Sequence, residues 1–180
     1  MHLADFVSSS RLLLAVGWVT AFLCGGRRPE VLGPISLAAV VSDFVDGRIA
    51  RRSGTVNRFG RWLDNLTDIV FVLTALICEA IAGAIPLYIP ALIAASFAQY
   101  AIDSVLLHDV PTPVASRLGH LGGVINYLMV IVLALAPSPR WPGVLLYEVA
   151  PLLAIFYIAA IVERAIGYRR STRVPIASVP

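Results

Sequence analysis

Residues 42–68 read SDFVDGRIARRSGTVNRFGRWLDNLTD and carry four aspartates in a chain that is otherwise mostly apolar. Asp43 and Asp46 are three residues apart, and Asp64 and Asp68 are four residues apart. On α-helices these spacings place each pair on one face, with Cβ atoms roughly 5–6 Å apart. The stretch therefore predicts two neighbouring helices that each present a pair of carboxylates.

Four carboxylates that meet from two helices would repel one another strongly unless cations lay between them. Hard divalent cations such as Mg²⁺ prefer oxygen ligands of this kind, and two ions about 3.5–4 Å apart can bind a phosphoryl group during in-line displacement. Solvated surface charges are the alternative, which is disfavoured because charge is costly between long apolar segments. The sequence therefore predicts a site for two Mg²⁺ or Mn²⁺ ions, held by Asp43, Asp46, Asp64 and Asp68.

Composition indicates an integral membrane protein. Of the 180 residues, 58% are hydrophobic and only 14% are charged, whereas soluble domains are roughly 45–50% apolar and about 25% charged. The net charge is +3, and all 14 basic residues are arginine. This basic excess suits anionic lipid headgroups, and no soluble basic face is available for nucleic acid. We therefore expect membrane lipids, and no nucleic acid, among the partners.

We expect an all-α protein in which residues 1–180 form one domain of six transmembrane helices. Each apolar segment is close to the roughly 20 residues that cross a bilayer. The predicted spans are about Phe6–Cys24, Val31–Ala50, Phe59–Ala82, Leu87–Leu107, Leu118–Ala136 and Val144–Ile166, with a break at Arg52-Ser53-Gly54. A signal peptide is the alternative interpretation of the first segment.

The distribution of arginines predicts the orientation in the membrane. With the amino terminus inside, only Arg27, Arg28 and Arg140 lie on the outer side, and the other eleven of the 14 lie on the cytoplasmic side. Short cytoplasmic loops carry an excess of basic residues. Both termini are therefore predicted to be cytoplasmic, and the aspartate site is predicted at the cytoplasmic ends of helices 2 and 3.

The aspartates belong to a longer pattern, D-x2-D-G-x2-A-R-x8-G-x3-D-x3-D, in which Gly47, Ala50, Arg51 and Gly60 fill the other fixed positions. This pattern resembles the signature of the CDP-alcohol phosphatidyltransferase family. Residues 4–11, ADFVSSSR, are similar to the P-N-x-x-T-x-x-R motif at the head of many members, with Ser8 at the threonine position. The resemblance implies a six-helix homodimer, and we expect it in the bacterial inner membrane.

The resemblance also implies a transferase that moves a phosphatidyl or related phospho-alcohol group from a CDP-alcohol, such as CDP-diacylglycerol, to an acceptor alcohol. CMP is released, and Asp68 is the implied base that takes the acceptor's proton. Gly47 would let the nucleotide approach the backbone, and Arg51 could reach the phosphates with its planar guanidinium. The residues implied to bind the CDP-alcohol are Asp43, Asp46, Gly47, Arg51, Asp64, Ser8 and Asn57.

The acceptor alcohol stays open at this point. Glycerol 3-phosphate is the first candidate, but residues 64–69, DNLTDI, differ from the D-P-x-A-D-K form of that branch, so inositol phosphate, serine and other lipid alcohols are alternatives. Arg117 and Arg58 are the predicted acceptor-binding residues if the acceptor bears a phosphate. The alternative function is a small metal-binding transporter or channel with an acidic cation path, in which Arg51 would have no use.

Two further polar residues carry expectations. Glu79 lies 15 residues beyond Asp64, which is roughly 22 Å along a helix. It is therefore predicted to be solvated near the opposite membrane interface. Asn126 lies within an apolar segment and is predicted to form a hydrogen bond between helices, not to bind a ligand.

Overall fold

The structure is a computed structural model that describes the backbone of residues 3–53, 58–106, 117–136 and 140–171. Side chains are described for residues 10–42, 45, 64–103, 118–136 and 144–167. Over these residues the chain is α-helical, with short connections and no strand. The six helices are α1 (Leu3–Gly25), α2 (Pro29–Ser53), α3 (Arg58–Ile81), α4 (Tyr88–Leu106), α5 (Arg117–Leu135) and α6 (Arg140–Ser171).

The six helices agree in order and number with the six apolar segments of the sequence, but three of them are longer than predicted. α1 begins at Leu3, three residues before the predicted start at Phe6. α2 continues through Arg52 to Ser53, where the sequence predicts a break, and Gly54 lies outside the described residues. α6 is 32 residues long and continues past Ile166 to Ser171. Hydrophobicity marks only the apolar part of a helix, whereas arginine and glutamate favour the helical state and extend it at either end.

Two glycines with positive φ end helices on the same side of the bundle. Gly26 (φ 68°) follows α1, and its N–H donates to the Phe22 carbonyl at 2.9 Å. After α3, Gly83 (φ 76°) donates to the Ala80 carbonyl and the next N–H donates to the Glu79 carbonyl. This is the Schellman arrangement, in which a left-handed residue lets the chain satisfy the last carbonyls. Both turns therefore reverse the chain within a few residues.

Helix α3 lies at the centre of the described bundle, because it packs against α1, α4 and α5. Phe71, Ala75 and Leu76 on α3 are completely buried, as is Trp18 on α1. Small residues at helix contacts let the two backbones approach closely. Helices α1 and α5 each also pack against α2, so both are neighbours of the two helices that carry the aspartate pairs.

The outer surface of the bundle is rich in large apolar side chains. Leu13, Ile81 and Val144 are among many that are more than two-thirds exposed. Two segments, Leu118–Leu135 and Val144–Gly167, are long and apolar enough to cross a membrane, and most of each is exposed. Shorter apolar helical segments cover Ser10–Gly25 and Pro29–Ser42. Contiguous exposed apolar surface of this extent is typical of a membrane-facing protein.

Candidate active site

Two aspartates in the first half of α3, Asp64 and Asp68, are bound by an arginine from α1. The Arg11 side chain is completely buried, and its Nη1 donates to Asp64 Oδ1 at 2.8 Å and to Asp68 Oδ1 at 2.5 Å. Asp64 and Asp68 are one turn apart on α3, so a single nitrogen can contact both carboxylates. Their side chains keep 31% and 21% exposure. The two carboxylates are thus anchored from the bundle interior and still accessible from outside it.

A third helix contacts the same carboxylate. The Tyr127 hydroxyl, on α5, donates to Asp68 Oδ1 at 2.7 Å. The Tyr127 ring stacks on Phe71 with centroids 6.5 Å apart and planes inclined by 23°. Beside this contact, the Thr67 hydroxyl donates to the Asp64 carbonyl at 2.9 Å. Asp68 therefore lies where α1, α3 and α5 meet.

The described side chains of this cluster carry unequal charge, and the side chains of Arg58 and Arg61 on the same helix lie outside the described residues. Arg11 contributes one positive charge, whereas Asp64 and Asp68 contribute two negative charges. Like-charged carboxylates held close together favour an additional cation. Carboxylate oxygens are hard ligands suited to Mg²⁺ or Mn²⁺. Both Oδ1 atoms already contact one cationic nitrogen, so the pair is arranged as two ligands of a cation would be.

The other predicted site residues lie partly or wholly outside what the structure describes. Asp43, Asp46, Gly47 and Arg51 belong to α2, and Ser8 belongs to α1, but their side chains are not among the described ones. Arg58 and Arg117 are the first residues of α3 and α5, again without a described side chain, and Asn57 is not described at all. Among the described side chains, no group of three or more His, Cys, Asp or Glu residues could hold a metal ion. The meeting of the two aspartate pairs therefore stays a prediction.

The structure overturns the expectation for Glu79, at the other end of α3. Glu79 is completely buried, and its Oε2 accepts a 2.7 Å hydrogen bond from Arg27 Nε. Arg27 Nη2 also donates to the Leu133 carbonyl near the end of α5, at 2.8 Å. The prediction of a solvated Glu79 was wrong because the turn between α1 and α2 brings a counter-charge over the end of α3. By contrast, the prediction for Asn126 is confirmed, since its Oδ1 accepts from the Tyr157 hydroxyl of α6.

The comparison with protein families decides the relationship of this chain. The model of the CDP-alcohol phosphatidyltransferase family matches residues 1–164, which is most of the 180 residues. The chain belongs to the CDP-alcohol phosphatidyltransferase family. Members of this family are membrane proteins, and they generally depend on a divalent metal ion.

Two curated members of the family are similar to this chain over part of its length. A CDP-diacylglycerol–glycerol-3-phosphate 3-phosphatidyltransferase of Treponema pallidum is 27% identical over 105 residues, covering 49% of this chain and 47% of the relative. A CMP-forming cardiolipin synthase of Streptomyces coelicolor is 31% identical over 111 residues, covering 56% of this chain and 52% of the relative. The chain spans about half the length of the curated relatives it matches.

Two residues at this site of the CDP-alcohol phosphatidyltransferase chain were not among the predicted site residues. The sequence contains one indication that Arg11 belongs to the site, because Arg11 ends the N-terminal stretch that is similar to P-N-x-x-T-x-x-R. Tyr127 had none, since it is a single tyrosine within an apolar segment, 59 residues from its partner Asp68. This contact depends on how α5 packs against α3, and a local sequence pattern does not predict that packing.

Proposed function

We propose that this protein is a phospholipid-synthesising transferase of the CDP-alcohol phosphatidyltransferase type. It moves a phosphatidyl or related phospho-alcohol group from a CDP-alcohol, such as CDP-diacylglycerol, to an acceptor alcohol and releases CMP. The observation that carries the proposal is the convergence of the Asp64 and Asp68 carboxylates on one cationic nitrogen, where both remain partly exposed. The membership of the family supports the same reaction class.

In the proposed reaction Asp68 accepts the proton of the acceptor hydroxyl. The hydroxyl oxygen then forms a bond to the phosphorus next to the lipid, and the bond between that phosphorus and the CMP oxygen breaks. Asp43, Asp46 and Asp64 would hold two divalent ions together with Asp68, and Mg²⁺ or Mn²⁺ bound there supplies charge neutralisation for the pyrophosphate. Gly47, Arg51, Ser8 and Asn57 are the further residues proposed to bind the CDP-alcohol.

The chemistry required of the protein is mostly positioning and electrostatic stabilisation, since a carboxylate is a weak base for an alcohol. Arg11 contributes to this by holding both α3 carboxylates in one place before substrate binds. An acidic cation path, as in a transporter or channel, would give these carboxylates mobile ions as partners. A buried arginine bound to both of them supports the enzyme over the transporter.

The test is CMP release from CDP-diacylglycerol by the purified protein in detergent with Mg²⁺ or Mn²⁺. We expect release that chelation abolishes and that either metal restores. No release with any of several acceptors, or full release in excess chelator, would contradict the proposal. Uptake of a divalent ion into proteoliposomes, in the absence of CMP release, would support the transporter instead.

We propose glycerol 3-phosphate as the first acceptor, and a lipid alcohol as the second because a cardiolipin synthase is among the similar proteins. A panel of glycerol 3-phosphate, phosphatidylglycerol, inositol phosphate and serine distinguishes them. Arg117 and Arg58 are the proposed ligands of an acceptor phosphate. Loss of a charge-assisted contact of about 1.5–3 kcal/mol predicts a KM for glycerol 3-phosphate roughly 10- to 150-fold higher in Arg117→Ala. An equal rise in the KM of CDP-diacylglycerol would make Arg117 a structural residue.

We further propose that residues 1–180 form one domain with six membrane spans in a bacterial inner membrane, with both termini and the active site on the cytoplasmic side. The exposed apolar surface and the family's membrane location support this arrangement. A single cysteine at Ser53, in a variant that lacks Cys24 and Cys78, should be labelled from the same side as the termini. Labelling from the opposite side would contradict the six-span topology. The proposed homodimer predicts twice the 19.3 kDa chain mass in detergent by light scattering.

A further inference from the structure

One oxygen of Asp68 accepts hydrogen bonds from two different helices. Asp68 Oδ1 is 2.5 Å from Arg11 Nη1 of α1 and 2.7 Å from the Tyr127 hydroxyl of α5. Asp64, one turn earlier, accepts a hydrogen bond from the same arginine nitrogen. Two donors on the same oxygen restrict rotation of the carboxylate about its Cβ–Cγ bond, because rotation would break both bonds at once.

The position of the Tyr127 hydroxyl is determined by packing. Its ring stacks on Phe71, and Phe71 in turn meets the edge of Trp18 with centroids 6.1 Å apart and planes at 86°. Phe71 and Trp18 are completely buried in the core. Aromatic side chains packed in this way have few alternative rotamers, so the hydroxyl is held at Asp68 by the core of the bundle.

We propose that Tyr127 is a positioning residue for Asp68, through which helix α5 orients the carboxylate that takes the proton in the transfer reaction. This inference rests on the proposed function, because it assigns Tyr127 a role only if Asp68 is the base. Donors that fix the orientation of catalytic or metal-binding groups typically contribute 10- to 100-fold in activity or metal affinity. The Tyr127 hydroxyl orients the Asp68 carboxylate, and packing of the Tyr127 ring positions the hydroxyl.

The test compares two single-oxygen deletions in neighbouring contacts. Tyr127→Phe removes the hydroxyl at Asp68 and retains the ring on Phe71. Tyr157→Phe is the matched control, because it removes a buried hydroxyl bonded to Asn126, the residue next to Tyr127, without touching a carboxylate. We expect kcat to fall about 10- to 100-fold in Tyr127→Phe, with the KM for CDP-diacylglycerol within about twofold of the wild type. Tyr157→Phe should keep the wild-type kcat.

A second measurement does not depend on turnover. Thermal unfolding of Tyr127→Phe, Asp68→Ala and the double variant forms a cycle, in which contacting residues give a destabilisation smaller than the sum of the single effects. The corresponding cycle of Tyr157→Phe with Asp68→Ala should be additive. Additivity in the Tyr127 cycle would overturn the contact on which the inference rests.

The outcomes separate this inference from the proposed function. An active wild type with unchanged kcat in Tyr127→Phe overturns the positioning role and leaves the proposed function standing. An equal loss of kcat in Tyr127→Phe and Tyr157→Phe overturns it too, since both would then act through packing. A wild type that releases no CMP overturns the proposed function, and the positioning role with it.

Discussion

The two ends of α3 each contact an arginine from the amino-terminal part of the chain, and they use it differently. At one end Arg27 binds Glu79 alone, with one positive charge against one negative charge, and the Glu79 side chain is 1% exposed. At the other end Arg11 binds both Asp64 and Asp68, with one positive charge against two negative charges. Those two carboxylates are also partly exposed.

Exposure and the number of carboxylates per arginine distinguish the Arg27–Glu79 pair from the cluster where we propose the active site. The Arg27–Glu79 pair combines one positive and one negative charge and also satisfies the Leu133 carbonyl, so it joins the α1–α2 turn, α3 and α5. Among the described side chains, the cluster at Arg11 holds two partly exposed carboxylates against one arginine, an arrangement that favours a divalent cation. Arginine–carboxylate contacts thus form a buried ion pair at one end of α3 and a partly exposed cluster at the other, where we propose that ligand binds.

The largest effect, a loss of turnover, should follow from changing Asp68. Asp68→Asn removes the proposed base, so turnover should fall by about 10²- to 10⁴-fold, while the protein still binds CDP-diacylglycerol. CMP release gives the turnover, and retention of the lipid by the purified protein gives binding. Glu148→Gln, which neutralises an exposed carboxylate on α6, is the control and should keep full turnover. Near-native turnover of Asp68→Asn would show that Asp68 is not the base.

An intermediate effect, a loss of stability, should follow from removing Arg27 from its ion pair with Glu79. Arg27→Ala leaves the Glu79 carboxylate buried without its counter-charge, so the free energy of unfolding should fall by about 3–5 kcal/mol. The measurement is the midpoint of thermal unfolding in detergent. The protein that remains folded should retain its turnover per molecule. A loss of turnover without loss of stability would remove the distinction between the two ends.

The smallest effect should follow from replacing the neutral pair as a whole. The double variant Arg27→Met/Glu79→Leu exchanges both charges for apolar side chains of similar size, and such replacements are often neutral or stabilising. We therefore expect a midpoint of unfolding close to that of the wild type and above that of Arg27→Ala. A double variant as unstable as Arg27→Ala would mean that Arg27 acts through its packing instead of its charge.

The sequence predicted part of this comparison and missed the rest for identifiable reasons. The four-residue spacing of Asp64 and Asp68 predicts one face of a helix, and the structure places both on one arginine. Six helices followed from six apolar segments. The partners could not be predicted, since Arg11 lies 53 residues from Asp64 and Arg27 lies 52 residues from Glu79. Spacing within α3 contains no information about the helices that pack against it.

Close packing elsewhere shows the same limit. A Cβ on Gly33 of α2 would lie 2.8 Å from Leu135 Cδ2 of α5, so a larger residue there would make this exposed leucine side chain shift. Considered without its neighbours, a glycine within a helix lowers helix stability by about 1 kcal/mol relative to alanine. The contact of Gly33 with Leu135, like that of Tyr127 with Asp68, becomes visible only when the helices are assembled.

Binding of Mn²⁺ alone tests the central claim most directly, because it needs neither substrate nor turnover. Electron paramagnetic resonance of unbound Mn²⁺ gives the affinity of the wild type, of Asp64→Asn and of the double variant Arg27→Met/Glu79→Leu. The account predicts that the wild type and the double variant bind Mn²⁺ equally, and that Asp64→Asn binds it at least about tenfold more weakly. Equal Mn²⁺ affinity of Asp64→Asn and the wild type would contradict a metal site at Asp64 and Asp68 of α3.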